Sequence, residues 1–311
     1  MTWSELARLG ASSAWWLVGR AVGRAVGRAI GRRSRPLIGG IALGDSCNLS
    51  CLQCSVSNRG IADLTYAEIR TGLASLRRLG ARLLYVEGGE PYLWRDGRYE
   101  LDDVVRLARE LGFLAVVVYT NGTFPLHTSA DAVFVSVDGT RETNDSLRGK
   151  SFDRVMETLR TTRHPNVMIN CTINRVNIGE IGPISELARD LPTVRGVTFY
   201  CYTPGGSHPE LMLRPHEKRR AMTRLLELKR AGLPVLNSRA SLRRVRDDTW
   251  RRPTDSCYLY ADRTMYRCCR LIDSPEACRE CGYLGYAELD CIARLQPDAI
   301  YEAFRAMAGH R

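Results

Sequence analysis

The residues best placed to do chemistry in this 311-residue chain are three cysteines that lie within eight residues of one another. Cys47, Cys51 and Cys54 have a C-x3-C-x2-C spacing and follow an apolar run that ends at Gly44. Three thiolates at this spacing can bind one face of a cubic [4Fe–4S] cluster, which usually takes four cysteine ligands. The remaining iron would then be open to a small molecule, and an iron with an open position can do chemistry.

Zinc binding and simple burial of the thiols are the alternatives for these cysteines. Zinc prefers four nitrogen or sulfur ligands, which usually come as two pairs. Neither a histidine nor a fourth cysteine follows nearby in the sequence. The spacing therefore favours an iron–sulfur cluster over a zinc site.

A second group of candidate residues follows the apolar run at 83–86, which predicts a short buried strand. Gly88, Gly89, Glu90 and Pro91 come directly after it. The two glycines let the backbone approach a ligand closely, and the carboxylate of Glu90 can accept hydrogen bonds from an ammonium group. Such turns occur in many proteins, so the weight of this one comes from its place at the end of a strand.

Polar residues also end the next two apolar runs along the chain. The runs are residues 115–119 and 132–137, and the polar residues at their ends are Thr120, Asn121, Ser136 and Asp138. Their side chains suit contacts with a polar ligand, although Asn-Gly and Asp-Gly pairs favour turns in any fold. We favour ligand contact over ordinary turn chemistry for Ser136 more than for the other three.

Predicted strands and helices alternate along the chain. The predicted strands are residues 38–44, 82–87, 114–119, 132–137, 166–173 and 196–202. The predicted helices are residues 65–79, 99–111, 151–162, 178–190 and 215–231. This alternation predicts an α/β fold built from parallel βαβ units. Thr65 and Glu68 predict a capping box at the first helix, and Gly80 and Gly112 predict the ends of the first two helices.

Together these features resemble the signature of radical S-adenosylmethionine (SAM) enzymes. The resemblance rests on the cysteine spacing and on the Gly-Gly-Glu-Pro turn at 88–91. It implies a partial (β/α)6 TIM-like barrel with active-site residues at the carboxyl ends of the strands. In that family SAM chelates the open iron of a [4Fe–4S] cluster. The reduced cluster cleaves SAM to methionine and a 5′-deoxyadenosyl radical, which abstracts hydrogen, while the protein orients the reactants and excludes water.

The resemblance also assigns roles to the strand-end residues. The turn at 88–91 would hold the methionyl amino group of SAM. The residues expected around its ribose and carboxylate are Thr120, Asn121, Ser136 and Asp138. The sequence departs from the family at Gln53, where an aromatic residue often lies against the adenine; here the adenine would stack elsewhere or hydrogen-bond Gln53. An external electron donor of the flavodoxin or ferredoxin type is implied as a partner.

The C-terminal part of the chain holds a second group of cysteines. They are Cys257, Cys268, Cys269, Cys278, Cys281 and Cys291. A predicted hairpin over residues 258–266 brings the first of these near the second and third, and the pair at 278 and 281 has a C-x2-C spacing. Two such pairs supply four thiolates, which is enough for a second, auxiliary [4Fe–4S] cluster, and zinc in the same thiolates is the alternative.

This C-terminal pattern is similar to the cysteine-rich SPASM or twitch extension of many radical SAM enzymes, in a shortened form that implies one auxiliary cluster. Either Cys268 or Cys269 would be the ligand beside Cys257. Cys171 and Cys201 are isolated on apolar strands, and we expect them to be core residues.

The composition constrains the setting of the protein. Eleven cysteines are many for a chain that carries no recognisable secretion signal, and iron–sulfur ligation in a reducing cytoplasm accounts for them better than extracellular disulfides do. The net charge is +11, with 42 arginines and 3 lysines. A basic run at 239–252 could meet nucleic acid, lipid headgroups or an acidic peptide, but a solvated helix face is its simplest explanation. Nothing in the sequence resembles an RNA-recognition module.

The first 36 residues contain a four-residue repeat that starts at Gly19 and ends at Arg32. On a helix this period places the arginines on one stripe and the valines on another. Such a helix would suit an anionic membrane surface, whereas a low-complexity extension is the alternative, because helical glycines are unfavourable. We predict an extension at 1–36, a barrel at 37–232 and a cysteine-rich domain at 233–311, in a cytoplasmic protein that can attach peripherally to the membrane.

The predicted function is that of a radical SAM enzyme that abstracts hydrogen from a substrate, assisted by the auxiliary cluster. A peptide or protein and a lipid or isoprenoid are the two substrate classes, the second favoured by the basic N-terminal helix. A transfer-RNA modifier and an iron–sulfur electron-transfer protein without SAM chemistry are the alternatives. The Gly-Gly-Glu-Pro turn argues against the electron carrier, since a carrier needs no amino-acid pocket.

Overall fold

The computed structural model describes residues 19, 35–203, 205, 208–252 and 254–307. The strands are β1 (Ile38–Ala42), β2 (Leu83–Glu87), β3 (Ala115–Thr120), β4 (Ala132–Ser136), β5 (Val167–Ile173), β6 (Val194–Cys201), β7 (Cys257–Ala261) and β8 (Thr264–Arg267). The helices are α1 (Tyr66–Leu79), α2 (Leu101–Glu110), α3 (Arg141–Arg148), α4 (Phe152–Thr161), α5 (Ile181–Asp190), α6 (Pro215–Arg230), α7 (Arg239–Arg246), α8 (Pro275–Glu280), α9 (Leu284–Ala293) and α10 (Pro297–Met307). The predicted strands and helices form, with ends that differ by at most three residues from those expected.

The strands form one sheet in the order β6-β5-β4-β3-β2-β1-β7-β8. Neighbours from β6 to β7 are parallel, and β8 returns antiparallel to β7 as the predicted hairpin. The parallel α/β fold expected from the alternation, and the partial barrel that the resemblance implies, are therefore confirmed. Because the first six strands are parallel, their carboxyl ends lie along one edge of the sheet, which we call the catalytic edge.

The first helix begins and ends as its sequence predicts. Thr65 caps α1 by accepting a hydrogen bond from the backbone of Glu68, whose carboxylate accepts one from the backbone of Thr65 in return. Gly80 ends the helix in the left-handed conformation, at φ 112°. The buried face of α1, which includes Ile69 and Leu73, packs against the outer side of the strands together with Leu84 and Val86 of β2.

Alternation along β2 sends the intervening side chains to the inner side of the sheet. Tyr85 is half-buried there, and its ring lies over Gly40 of β1. A β-carbon at Gly40 would lie 2.1 Å from the tyrosine ring, so only glycine leaves room for the ring at this position. The inner side of the sheet therefore has space for large side chains that face away from the helices.

The C-terminal part of the chain joins the same sheet. Cys257 in β7 pairs with Ile38 in β1, and the strands run parallel from there. Farther along the chain, the carbonyl of Gly282 accepts a hydrogen bond from the backbone of Cys201, at 2.9 Å. The segment that follows β8 thus reaches from the β1 side of the sheet to the end of β6. The division into domains at 233 remains a prediction.

The amphipathic helix predicted near the N-terminus lies outside the described residues, apart from Gly19. Among the helices that are described, none is both long and apolar enough to cross a lipid bilayer.

Candidate active site

The three clustered cysteines lie in the loop between β1 and α1, at the catalytic edge. Cys54 is exposed, whereas Cys47 and Cys51 are half-buried. The backbone of Cys54 donates to the carbonyl of Cys51 at 3.0 Å, which folds the C-x2-C part of the loop into a turn. Desolvation, with a smaller contribution from the neighbouring Cys54 and Cys47, raises the pKa of Cys51 to about 11, although the guanidinium of Arg148 opposes the shift. All three thiols lie in this one loop, and their joint binding of a cluster stays a prediction.

Nitrogen–hydrogen donors surround two of these thiols. The sulfur of Cys47 lies 3.5 Å from the backbone nitrogen of Leu49 and 3.7 Å from Nδ2 of Asn121. The sulfur of Cys51 lies 3.9 Å from Nη1 of Arg148. Hydrogen bonds and positive charge at sulfur suit thiolates that ligate an iron–sulfur cluster, so the chemistry of this donor set fits the group that the sequence predicts.

Glu90 lies at the end of β2 and is buried, with 2% of its surface exposed. Its Oε1 accepts hydrogen bonds from the hydroxyl of Thr120 at 2.7 Å and from the backbone of Tyr92 at 3.1 Å. Its Oε2 accepts from the backbone of Asn121 at 2.7 Å. Desolvation raises the pKa of Glu90 even though these three donors oppose the shift. Both carboxylate oxygens are therefore already bonded within the protein.

Asn121 connects Glu90 to the cysteine loop. Its backbone donates to Glu90, while its side-chain Nδ2 donates to Oδ1 of Asn48 at 2.9 Å and points to the sulfur of Cys47. The hydroxyl and backbone of Thr123 both donate to Asn121 Oδ1, which fixes the orientation of the amide. One hydrogen-bonded chain thus joins the ends of β2 and β3 to the first cysteine.

Gly88 and Gly89 permit a close approach between two loops. The backbone of Gly89 donates to Gly44 and that of Glu90 donates to Ser46, both at 2.8 Å. A β-carbon at Gly89 would lie 2.0 Å from the Ser46 carbonyl oxygen, so a larger residue would push the turn away from the cysteine loop. Pro91 then begins a short 3-10 helix, Pro91–Leu93.

Asp138 is fully buried and anchors the other side of the cysteine loop. Its carboxylate accepts from Nε2 of Gln53 and Nε of Arg148, both at 2.6 Å, and from the backbone of Thr172 at 2.7 Å. Because a carboxylate only accepts, Nε2 of Gln53 must face Asp138. Ser136 is half-buried at the end of β4, opposite Asn170. No described hydrogen bond joins Ser136 to the Glu90 chain.

An ion-pair network fastens the cysteine loop to the β7–β8 hairpin. Arg59 of the loop donates two parallel hydrogen bonds to Asp262 in the hairpin turn, at 2.9 and 3.0 Å, and a third to Asp45. Burial pushes the pKa of Asp45 up, but hydrogen bonds from the Ile61 backbone and from Arg59 together hold it below its usual value. Beside this pair, Arg263 donates to Glu68 and to the loop carbonyls of Ala62 and Asp63. We call the contact between Arg59 and Asp262 the loop–hairpin clamp.

The structure also gathers five of the C-terminal cysteines. Cys257 is fully buried on the inner side of β7, and its carbonyl accepts a hydrogen bond from the backbone of Cys268 at 2.9 Å. Cys269 interacts electrostatically with Cys257, Cys268, Cys278 and Cys281. A hydrogen bond from the thiol of Cys268 lowers the pKa of Cys269. Cys269 is thus the common neighbour of the other four.

The three remaining cysteines lie in apolar clusters of the core. Cys171 and Cys201 are buried in the main core, as expected. Cys291 is buried beside α7 and α10, with Ala240 and Ala299. Among the described residues, no three His, Cys, Asp or Glu side chains are arranged to hold a single metal ion.

Several residues of the site were not predicted. Arg148 and the carbonyl of Leu147, which accepts from the backbone of Leu52 at 2.8 Å, belong to the unexpected helix α3. Asn48 and Arg59 lie in the cysteine loop. Their closeness to the cysteines in sequence was the only indication that they belong to the site. Their roles depend on partners more than 70 residues away, Asn121 and Asp262.

Residues 41–181 match the family model described as the radical SAM superfamily. The chain carries a radical SAM domain. This domain spans the cysteine loop, Glu90, Asn121 and Asp138, the residues that the hydrogen bonds join. The superfamily works with a [4Fe–4S] cluster and SAM, and the thiols and donors of the cysteine loop fit the cluster.

Two relatives with similar sequences come from Methanosarcina barkeri. Fe-coproporphyrin III synthase is 30% identical over 199 residues, which cover 58% of this chain and 48% of the relative. AdoMet-dependent heme synthase is 31% identical over 176 residues, which cover 51% of this chain and 49% of the relative. The matched part thus spans about half the length of these relatives.

The likeness in fold to one solved structure reaches beyond residues 41–181. The crystal structure of Streptococcus suis SuiB bound to the precursor peptide SuiA superimposes with a TM-score of 0.61 at 13% identity. The superposition covers 87% of this chain and 67% of SuiB. At this identity the likeness concerns the fold alone.

Proposed function

We propose that this protein reductively cleaves SAM and uses the resulting 5′-deoxyadenosyl radical to abstract hydrogen from an organic substrate. The hydrogen-bonded chain from Glu90 through Asn121 to Cys47 carries the proposal. It joins the turn expected to bind the amino acid part of SAM to the first cluster ligand. An electron-transfer protein would have no use for such a connection.

In this proposal each part of the site has its own task. Cys47, Cys51 and Cys54 hold the cluster, which with SAM bound supplies the electron that breaks the S–C5′ bond. The turn at 88–91 shapes the pocket for the methionine, and Glu90 acts by orienting Thr120 and Asn121. Ser136 lines the SAM pocket, and Asp138 orients Gln53 and Arg148 from behind the loop.

We assign the second cysteine group to one auxiliary [4Fe–4S] cluster. Cys257, Cys278, Cys281 and either Cys268 or Cys269 would hold it, and the position of Cys269 among the other four favours Cys269. Four thiolates in one region meet the usual ligand count of such a cluster. The cluster would accept an electron from the substrate radical or bind the substrate directly. An external flavodoxin or ferredoxin would reduce the first cluster on the cytoplasmic side of the membrane.

Two substrate classes have support. Both Methanosarcina relatives are named for tetrapyrroles, a coproporphyrin and a heme, and their similarity includes the radical SAM domain. A peptide or protein is the second class, because SuiB, which shares the fold, was crystallised with a peptide. The lipid class depends on the N-terminal helix, which lies outside the described residues.

Anaerobic reconstitution with iron and sulfide tests the reaction. With dithionite and SAM, the wild type should release 5′-deoxyadenosine, measured by mass spectrometry, and a Cys47→Ala/Cys51→Ala/Cys54→Ala variant should release none. The variant should keep about four irons, those of the auxiliary cluster. Cys291→Ala is the matched control, since Cys291 packs in a separate apolar cluster with Ala240 and Ala299, and it should retain both activity and iron.

The outcomes separate the alternatives. A wild type that binds iron yet cleaves no SAM, with or without a substrate, would support the electron carrier instead. A triple variant that contains no iron would contradict the assignment of the auxiliary cluster. It would not affect the assignment of the first cluster to Cys47, Cys51 and Cys54. If elemental analysis finds zinc instead of iron in the triple variant, the C-terminal thiols hold a structural zinc ion and no auxiliary cluster.

A further inference from the structure

The inner side of the sheet carries a set of touching aromatic rings. Tyr85 of β2 meets Tyr119 of β3 edge to face, with ring centroids 6.2 Å apart. The hydroxyl of Tyr119 lies 3.3 Å from that of Tyr200 in β6, so side chains of two strands that are not neighbours in the sheet meet. Tyr283, just before α9, lies 5.1 Å from the ring of Tyr200. We call these four residues the tyrosine wall.

The tyrosine wall lines the inner, concave side of the sheet. Tyr85, Tyr119 and Tyr200 are only half-buried, and Tyr283 is 46% exposed. The hydroxyl contact between Tyr119 and Tyr200 joins two strands that are separated by β4 and β5, so the sheet curls around its inner side. The exposed parts of these rings therefore border the concave space inside the curled sheet, which we call the recess.

This recess opens on the catalytic edge. Tyr119 directly precedes Thr120, whose hydroxyl donates to Glu90, and Tyr85 precedes the turn at 88–91 by three residues. Tyr200 is the penultimate residue of β6. The tyrosine wall therefore stands beside the residues that we assign to SAM, where a substrate must lie to meet the radical.

The recess presents aromatic faces and neutral polar groups. The inward positions beside the tyrosine wall on β4, β5 and β6 hold Phe134, Ser136, Asn170 and Thr198. Phe134 stacks on Tyr119 with centroids 4.7 Å apart and an angle of 11° between the planes. The charged residue on the inner side of β2 is Glu87, and Arg270 neutralises it at 3.3 Å.

We propose that the tyrosine wall binds a flat, conjugated ring system, and that the substrate is accordingly a tetrapyrrole. This inference rests on the proposed function and selects between its two substrate classes. Aromatic side chains favour offset stacking and edge-to-face contact with another π-system, and the wall offers several rings to one macrocycle. A peptide backbone would instead require unpaired hydrogen-bonding groups along the wall, and the hydroxyls of Tyr119 and Tyr200 are already bonded to each other.

The test is an anaerobic titration of the reconstituted enzyme with coproporphyrin III, followed by the shift of its main absorption band. The wild type should bind with a saturable shift. Tyr119→Leu and Tyr200→Leu should each weaken binding about tenfold, since each removes a stacking ring. Tyr119→Phe keeps the ring and loses only the contact with Tyr200, so it should bind within about twofold of the wild type.

A matched control excludes adsorption to the basic surface. Tyr301 is 61% exposed on α10, and Tyr301→Leu should bind coproporphyrin III as the wild type does. Thermal unfolding of each variant checks that the leucine substitutions leave the fold intact. Equal binding by the wild type and both leucine variants would overturn the proposal, as would a wild type that binds an aromatic peptide such as Tyr-Trp but no porphyrin.

SAM cleavage by the same preparations keeps the two proposals separate. A wild type that cleaves SAM but fails to bind the porphyrin refutes the substrate class alone. A wild type that binds the porphyrin through the tyrosine wall but never cleaves SAM, even with porphyrin bound, refutes the proposed reaction and leaves the binding site standing.

Discussion

The two cysteine regions of this protein surround their thiols with different groups. In the loop after β1, donors point to sulfur, as Asn121 does to Cys47 and Arg148 to Cys51. In the C-terminal segment the sulfur of Cys278 lies 3.9 Å from two backbone carbonyls, those of Leu271 and Ile272. Cys257 is buried and has the hydroxyl of Tyr85 at 3.9 Å. Desolvation raises the pKa of Cys51 and of Cys257 alike; the guanidinium of Arg148 opposes the shift at Cys51, whereas the neutral hydroxyls of Tyr85 and Tyr286 oppose it at Cys257.

This difference shows what each region needs from a bound group. Donors and a nearby cation stabilise negative charge at sulfur, so the loop can support a cluster that gains and loses an electron. Desolvation raises the pKa of Cys257 to about 12, and its thiolate therefore forms only when a metal replaces the proton. Because the pKa of Cys51 is raised in the same way, binding at either site must release protons, and it should strengthen as the pH rises.

Each region also contains a hydrogen-bonded glutamate, buried Glu90 and half-buried Glu288, and the two carboxylates are used differently. Glu90 accepts through both oxygens, from Thr120 and Tyr92 on one and Asn121 on the other. Oε1 of Glu288 in α9 accepts from the backbone of Ser238 and from the hydroxyl of Ser241. An amide can replace the second carboxylate but not the first, because its NH2 group cannot accept.

The largest effect is therefore expected from Glu90→Gln. In the variant, the NH2 group of the amide would face one of the donors that now bond to Glu90. The lost hydrogen bond should displace Asn121 from Cys47 and lower the rate of SAM cleavage by about 100-fold. Unfolding free energy should fall by about 2 kcal/mol, the cost of one unsatisfied buried donor. Denaturant titration and the 5′-deoxyadenosine assay measure the two effects.

Glu110→Gln is the control for this substitution, because Glu110 is exposed at the end of α2. It should change neither quantity. Unchanged SAM cleavage in Glu90→Gln would remove the basis for linking Glu90 to the cysteine loop.

A smaller effect is expected from breaking the loop–hairpin clamp, which joins the two regions. Arg59→Met and Asp262→Asn should each destabilise the protein by about 1 kcal/mol, because the bidentate pair is only partly buried. Their effects should not add in the double variant, since the second substitution removes a partner that is already lost. Denaturant titration of the three variants gives the coupling energy.

The control for the clamp is an ion pair in the same hairpin. Arg267 lies 3.5 Å from Asp255, with both side chains more than half exposed, and Arg267→Met should cost close to nothing. Additive effects at Arg59 and Asp262 would show that the two regions are energetically independent.

The smallest effect is a change in the pH dependence of stability in Glu288→Gln. Desolvation raises the pKa of Glu288 above its usual 4.5, against the hydrogen bonds from Ser238 and Ser241. The folded state then holds the proton more tightly than the unfolded chain, so the wild type loses stability as the pH rises from about 4.5 through the higher folded pKa. The glutamine variant cannot lose a proton there, and both hydrogen bonds to Oε1 remain.

We therefore expect Glu288→Gln to match the wild type near pH 4.5 and to be equally or more stable at pH 7.5. The difference should stay within about 1.5 kcal/mol, as for other isosteric exchanges. Glu157→Gln, exposed on α4, should show no such dependence. A glutamine variant that loses stability relative to the wild type as the pH rises would contradict the assigned burial.

Much of the catalytic edge could be predicted because its signals are local. The strands are apolar runs, the turn after β2 follows directly from its glycines, and Thr65 and Gly80 delimit α1 by their own chemistry. The helix α3 was missed because its residues, RETNDSLR, are almost all polar, and only Asn144 and Leu147 are buried. A helix with so narrow an apolar face gives no periodic signal.

The partners of the polar residues could not be predicted, because they depend on distant parts of the chain. Glu90 was expected to accept an ammonium group, yet the three donors that it binds are the protein's own. The hairpin of β7 and β8 was expected from its local pattern. Its position beside β1 was not expected, because the sequences of two strands do not show that they pair in parallel.

That pairing has a consequence for how the chain folds. Cys257 and Ile38 are neighbours in the sheet although 219 residues separate them in sequence. Ribosomes add about 5–20 residues per second, so β1 would wait on the order of 10–45 s for its second neighbour. During synthesis this edge of β1 stays open to pairing with other chains. Late, long-range closure slows folding, so recombinant yield should depend on chaperones that shield β1 until the hairpin emerges.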